Sequence, residues 1–206
     1  MARTGIANPR KRSAVTRANL LEAAADVFAE RGYDGTTLAA VARRASMTTG
    51  AIYSNFHGKE DLLCEVLRAR SIRDDEVREA LLANPEISHL RIQLDTESMQ
   101  PDRPRMHALI LEGFAAARRN PVVREMMRDL MAEISTFMAE RVRLAQQKGL
   151  IAADIDPMTL GLFYLMPTAG RALLEAVGMS MPQAETWPPI LERFDRALKP
   201  DATIER

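Results

Sequence analysis

Between Thr37 and Lys59 the chain concentrates side chains suited to gripping a polyanion at close range. Thr37 and Thr48 offer hydroxyls, Tyr53 a phenol, His57 an imidazole and Lys59 an ammonium. Such donors near helix N-termini bind phosphate oxygens. Interleaved with them are Thr49, Gly50, Ala51, Ser54 and Asn55, which are small or carry an amide. A helix with so small a face can sit close to base edges. Catalytic chemistry is poorly supplied by comparison: the chain holds three histidines and one cysteine, with no glycine-rich phosphate loop. No spacing resembles a metal site or a nucleophile with its base. The expectation is a binding protein rather than an enzyme, with no cofactor and no metal.

The charge distribution agrees. Formal net charge is zero over 206 residues, with 28 basic and 28 acidic side chains. From Met1 to Lys59, nine basic residues face four acidic ones, which leaves +5 in that segment and −5 in the rest. Opposite charge on two stretches suggests different partners, and the basic stretch is the one that suits phosphates. At 47% hydrophobic residues the chain can bury a core. Cys64 has no partner within the chain, so a reducing, cytoplasmic setting is expected. Neither a signal-peptide pattern nor an apolar run of about 20 residues occurs, so no membrane is expected as a partner.

The elements that must carry these residues follow from periodicity. Apolar residues recur with the helical period and nowhere alternate over a strand's length, so the fold class is all-α. Residues 1–14 read as a flexible basic arm. A helix from about Val15 to Arg31 presents Leu20, Leu21, Ala24, Val27 and Phe28 on one face, and Gly32 stops it. Thr36 and Thr37 offer an N-cap for a short helix with Leu38, Val41 and Ala42, ending near Ala45. Thr48 caps a second with Ile52, Tyr53 and Phe56, broken at His57-Gly58. Two short helices joined by a tight turn behind a longer brace form a helix-turn-helix, whose second helix is presented to the DNA major groove. Residues 15–58 are therefore the expected DNA-binding domain, and 59–84 a connecting helix carrying Leu62, Leu63, Val66 and Leu67. Residues 85–206 form a larger helical domain, with helices ending at Asn120-Pro121, at Gly149 and at Gly178, and a last one from Pro188 to Leu198.

From Leu20 to Leu63 the chain resembles the TetR family's DNA-binding domain. Matching positions include Phe28, Gly32, Tyr33, Thr36, Thr37, Val41, Ala42, Ala45, Thr48, Gly50, Ile52, Tyr53, Phe56, Lys59 and Leu62. Two departures stand out. Ser46 occupies a turn position where the family usually has glycine, which leaves the turn strained or shifted, and Thr49 stands where a basic residue is common. Chemistry and resemblance together assign Thr37, Thr48, Tyr53, His57 and Lys59 to phosphates, and Thr49, Gly50, Ala51, Ser54 and Asn55 to base edges. Asn55 suits adenine, and the methyls of Ala51 or Thr49 suit thymine. Two uses are open to Tyr53, phosphate contact and core packing. Arg10, Lys11, Arg12 and Arg17 are candidates to reach neighbouring phosphates or the minor groove, or for the first three to serve as a solubilising tail; Arg43 and Arg44 read as solvated surface.

The resemblance further implies a dimer through the last two helices and a small-molecule effector pocket enclosed by the helices that lie between those and the DNA domain. Gly161 and Gly170 would allow close helix approach, with Trp187, Leu191 and Phe194 completing the interface. Pocket residues are expected at Met106, Ile110, Phe114, Met127, Met131, Ile134 and Phe163, for a largely apolar ligand. His107, Glu112 and Glu133 are candidate polar anchors, with solvent exposure the simpler reading. The resemblance implies repression of palindromic operator DNA, released when ligand shifts the population to a dimer misaligned with half-sites about 34 to 36 Å apart. The helix beginning at Lys59 is the expected lever. A protein of this fold that has lost DNA binding is the alternative, on the strength of Ser46 and Thr49.

Overall fold

In the computed structural model, residues 9–71, 83 and 103–200 are described. The expected arm up to residue 8, the connecting helix beyond Ser71 (Ala83 excepted), the segment from Pro85 to Met99 and residues 201–206 lie outside that set. Among the described residues there are eight α-helices and no strand, so the all-α expectation holds. They are α1 (Pro9–Gly35), α2 (Leu38–Arg44), α3 (Thr49–Tyr53), α4 (Lys59–Ser71), α5 (Arg103–Arg119), α6 (Pro121–Gln147), α7 (Pro157–Ala176) and α8 (Pro188–Ala197). The chain divides into two compact units, Met1–Arg70 with Glu112–Met127, and Ser71–Leu111 with Arg128–Arg206.

In the first unit α1 starts at Pro9, ahead of the expected Val15. Pro9 supplies a preset φ at the first helical position, and the basic residues behind it are good helix formers, so no apolar stripe is needed there. The helix breaks at Gly32, whose φ of 69° and ψ of 176° leave the helical region. A side chain at that φ would be strained. Leu20, Ala24, Val27 and Phe28 are buried as expected, as are Val41, Ile52, Phe56, Leu62, Leu63 and Val66. Each Val, Leu, Ile and Phe side chain among them contributes roughly 1.5–3 kcal/mol. Burying them together fixes α2 and α3, which are too short to persist alone. Gly113 of α5 belongs to this unit. A Cβ there would lie 2.9 Å from Leu67 Cδ1, so its bare backbone allows α5 to approach α4.

The second unit is built on the apolar faces of α6 and α7. Gly161 sits against the backbone of α6, where a Cβ would come within 2.9 Å of Ala139 N. A Cβ at Gly170 meets nothing within 4 Å among the described residues, so of the two glycines Gly161 answers the expectation of close approach there. Val142, Leu160 and Tyr164 form a buried cluster with Ile151, Ile155, Phe194 and Leu198 packed on it. The turn before α7 is pinned by Gln146, whose amide donates to Ala152 O at 2.9 Å and Ile155 O at 2.8 Å. Asp156 caps α7 by accepting from Thr159 N at 2.8 Å. Along α7 the side chains of Met158, Leu162, Phe163, Met166, Leu173, Leu174 and Val177 remain exposed. On α8 the expected single apolar face splits: Phe194 packs on the cluster of Val142, Leu160 and Tyr164, and Leu191 is buried within its own chain, while Ile190 is exposed. No helix among the described residues is long and apolar enough to cross a membrane.

Candidate nucleic-acid interface

The turn between α2 and α3 is closed by local bonds. Thr37 caps α2, its hydroxyl accepting from Ala40 N at 3.2 Å, and Thr48 caps α3 by accepting from Ala51 N at 3.3 Å. Both threonines are exposed beyond these caps. Met47 N donates to Ala42 O at 2.9 Å, closing the connection. Ser46 adopts a φ of 56°. The turn keeps the left-handed geometry that glycine would take freely, so the departure at Ser46 is absorbed as strain rather than as a shifted backbone.

The short α3 buries Ile52 and shows the opposite face. Gly50 and Ser54 are exposed, and Thr49, Ala51 and Asn55 are half-buried. Tyr53 is 63% exposed, which removes the core-packing reading and leaves its phenol facing solvent. Ser54 Oγ donates to Gly50 O at 2.9 Å and Asn55 Nδ2 to Ala51 O at 2.7 Å. Asn55 thus spends one amide hydrogen on its own helix, and pairing bidentately with adenine requires the side chain to turn. His57 is exposed, with its backbone N–H donating to Asp61 Oδ2 at 2.8 Å.

Lys59 and Arg17 are less available than their charge suggested. Lys59 Nζ donates to Tyr33 O at 2.9 Å and lies 4.2 Å from the centroid of the Tyr33 ring. An ammonium has three donors, so a phosphate contact is compatible with this seat but shares the group with it. Arg17, expected to reach phosphates, instead pairs with Glu65 and lies over the Phe56 ring at 5.1 Å. Burial of Glu65 opposes its charge, yet its hydrogen bonds with Arg17 and Arg68 leave its carboxyl below the usual range. Arg44 pairs with Glu30 and Asp26 on the surface, as a solvated residue should.

A second set of polar contacts was not legible in the sequence. The Tyr33 N–H donates to Glu112 Oε2 at 2.8 Å, and its hydroxyl donates to Glu60 Oε1 at 2.8 Å. Asn120 Nδ2 reaches both, donating to the Tyr33 hydroxyl at 3.1 Å and to Glu60 Oε1 at 3.3 Å. Burial, then the Glu60 carboxylate, push the Tyr33 phenol above its ordinary range. Glu60's own backbone N–H and the Tyr33 hydroxyl hold its carboxyl below the ordinary value. Tyr33 and Glu60 could be noticed in the sequence, but nothing near them names Glu112 or Asn120 as partners, since those lie 79 and 87 residues beyond Tyr33.

The seven expected pocket residues fall in both units. Phe114 and Met127 belong to the first, and Met106, Ile110, Met131, Ile134 and Phe163 to the second. Met127 and Ile134 are buried, Met106, Ile110 and Met131 half-buried, and Phe114 and Phe163 exposed. Phe163 stacks on Phe194 with centroids 5.4 Å apart. Of the polar anchors, Glu133 is exposed and Glu112 is spent on Tyr33. His107 is only 4% exposed, against the solvent reading, and its Nδ1 shares a hydrogen bond with Glu175 Oε2 at 2.7 Å. Arg171 Nε donates to the other oxygen of Glu175 at 2.9 Å. The signal missed was the reach from α5 to α7, which no local pattern encodes.

Comparison with known proteins bears on this geometry. The model of the family described as bacterial regulatory proteins, tetR family, matches residues 20–66. The transcriptional regulator UidR of Escherichia coli strain K12 is 30% identical over 144 residues, 68% of this chain and 71% of that protein. The transcriptional repressor AcnR of Corynebacterium glutamicum is 29% identical over 150 residues, 72% of this chain and 75% of that one. A TetR-family regulator structure from Rhodococcus sp. superposes with a TM-score of 0.72 at 20% identity, covering 90% of this chain and 98% of that one.

Proposed function

The chain belongs to the TetR family of bacterial regulatory proteins, a family of DNA-binding transcriptional regulators rather than enzymes, and from that premise we propose a ligand-responsive repressor that binds palindromic operator DNA as a homodimer. The observation that carries the reading is the outward face of α3, small at Gly50, Ala51 and Ser54 and flanked by the exposed phenol of Tyr53. That shape enters a major groove without collision. Thr37, Thr48, Tyr53, His57 and Lys59 take phosphates, and Thr49, Gly50, Ala51, Ser54 and Asn55 meet base edges. Ser46 retains the turn geometry of the motif, so it does not favour a protein that has lost DNA binding.

The division of labour proposed is a DNA-binding domain over residues 15–58, a connecting helix over 59–84 and an effector and dimerisation domain over 85–206, preceded by the basic segment 1–14. Pairing through α7 and α8 is supported by the exposed apolar side chains of α7 and by Ile190, a face that calls for a partner. A small, largely apolar effector releases the DNA by population shift, its candidate contacts being Met106, Ile110, Met131, Ile134 and Phe163 in the second unit and Phe114 and Met127 in the first. Repression is supported by the likeness to a named repressor, and a reducing cytoplasm by the buried free Cys64.

The test is selection of bound duplexes from a random pool, followed by salt titration of the winner. The expected result is an inverted repeat whose affinity falls steeply with salt, since phosphate contacts release counterions. Tyr53→Phe should flatten the slope of log affinity against log salt only slightly, and the charge change Lys59→Gln by about one. Duplexes sharing no symmetry, bound no better than scrambled DNA, would refute the reading.

A further inference from the structure

We propose that Glu112 and Asn120 are positioning residues for DNA binding, forming with Tyr33 and Glu60 a clamp that ties the chain before α2 to the chain after α3. The helix-turn-helix lies between these two points in sequence, and α2 and α3 are too short to hold their own direction. Beyond the burial of Val41, Ile52 and Phe56, the direction of α3 depends on how the segments on either side are anchored. Tyr33 stands in front of α2, and Glu60 opens α4 just behind α3. The Tyr33 hydroxyl joins them directly at 2.8 Å. Lys59 adds a second tie by donating to Tyr33 O at 2.9 Å.

Two groups from much later in the chain complete it. Glu112 of α5 accepts the backbone N–H of Tyr33, at the kink where Gly32 has a φ of 69°. A Cβ at Gly32 would lie 3.0 Å from Glu112 Oε2, so glycine there serves the contact as well as the turn. Asn120 donates one amide to both the Tyr33 hydroxyl and Glu60, while its Oδ1 accepts from Val122 N at 2.9 Å and Val123 N at 3.3 Å. One side chain thus caps α6 and bridges both flanks of the reading head. All of these groups lie in the first compact unit. A reading head must hold its contact residues to about half an ångström, through a supporting shell of this kind. Any displacement of the Glu112–Asn120 stretch reaches α3 from both flanks at once.

The division of work within Asn120 makes the test selective. Asn120→Asp keeps the oxygen that caps α6, aspartate being a good cap, but removes the donor and sets a second carboxylate against Glu60. Tyr33→Phe removes the bridging hydroxyl while leaving the ring beside Phe28, 6.4 Å between centroids. Affinity is measured for an inverted-repeat duplex selected by the wild-type protein, so this step rests on the DNA-binding reading. Asn120→Asp should lose about tenfold in affinity, with the salt slope unchanged because no phosphate contact is removed. The thermal midpoint of Asn120→Asp should fall by only a few degrees, leaving the protein folded at the temperature of the binding assay. Tyr33→Phe should weaken binding alone yet add little in the Asn120→Asp background, since both break one clamp. Glu112→Ala should weaken binding, and Glu112→Gln, which keeps an oxygen for the Tyr33 N–H, should recover it.

Binding by Asn120→Asp and Tyr33→Phe within about twofold of wild type overturns the clamp, as do a changed salt slope or fully additive losses. Should Asn120→Asp fail to fold, Tyr33→Phe and the Glu112 pair decide by the same criteria. A wild-type protein that retains no duplex overturns the DNA-binding reading and the clamp with it. That result is distinct from a wild type that binds and variants that bind equally well.

Discussion

Ser46 holds a φ of 56° in the turn that aims α3, without a glycine to make it easy. Left-handed backbone costs an L-residue roughly 1–2 kcal/mol, part of which glycine gives back through its freer unfolded chain. Ser46→Gly is therefore expected to stabilise by about 0.5–1 kcal/mol, a rise of about 1–4 °C in the thermal midpoint. DNA affinity should stay the same, because the backbone path is already the one glycine would choose. Calorimetry with a parallel binding isotherm checks both. Cys64, by contrast, has no chemistry to offer: burial pushes its thiol up to about 11, and the exposed thiolate that reactivity needs is missing.

At the scale of elements, the contact between α6 and α7 depends on one absent side chain. A Cβ at Gly161 would press on two backbone atoms, Ala139 N at 2.9 Å and Ser135 O at 3.1 Å. Backbone in a packed helix cannot give way as a side chain does, so Gly161→Ala should destabilise by roughly 1–3 kcal/mol. Gly170 lies on the same helix, and a Cβ there meets nothing within 4 Å among the described residues. There the exchange for alanine recovers only helix propensity, a gain of about 0.5–1 kcal/mol. Opposite signs in urea melts are the expected outcome, and equal effects would show that helix propensity rather than packing governs both positions.

For the molecule as a whole, the apolar face of α7 is the feature that a single chain leaves unexplained. Met166 is 63% and Val177 80% exposed, so a charge at either position meets no clash within the chain. Met166→Glu is expected to convert a dimer to monomers in sedimentation velocity while the helical circular dichroism is retained. Affinity for an inverted repeat should then fall by at least about a hundredfold, since two half-sites no longer reinforce one another. A variant that still sediments as a dimer would place the interface elsewhere.

Read alone, the sequence determined the helical class, the cap Thr48, a cap for α2 at Thr36 or Thr37, the glycine stop at position 32 and the inner face built on Val41, Ile52 and Phe56. These are local matters: caps, turns and a 3.6-residue period act over a few positions and leave a readable trace. Tertiary structure alone decided that Tyr53 faces outward, that Arg17 turns to Glu65, that Leu191 packs inward while Ile190 does not, and that Glu112 and Asn120 close on Tyr33. Each of those depends on which distant helix arrives alongside, and side-chain type at one position carries no address for a partner some eighty residues away.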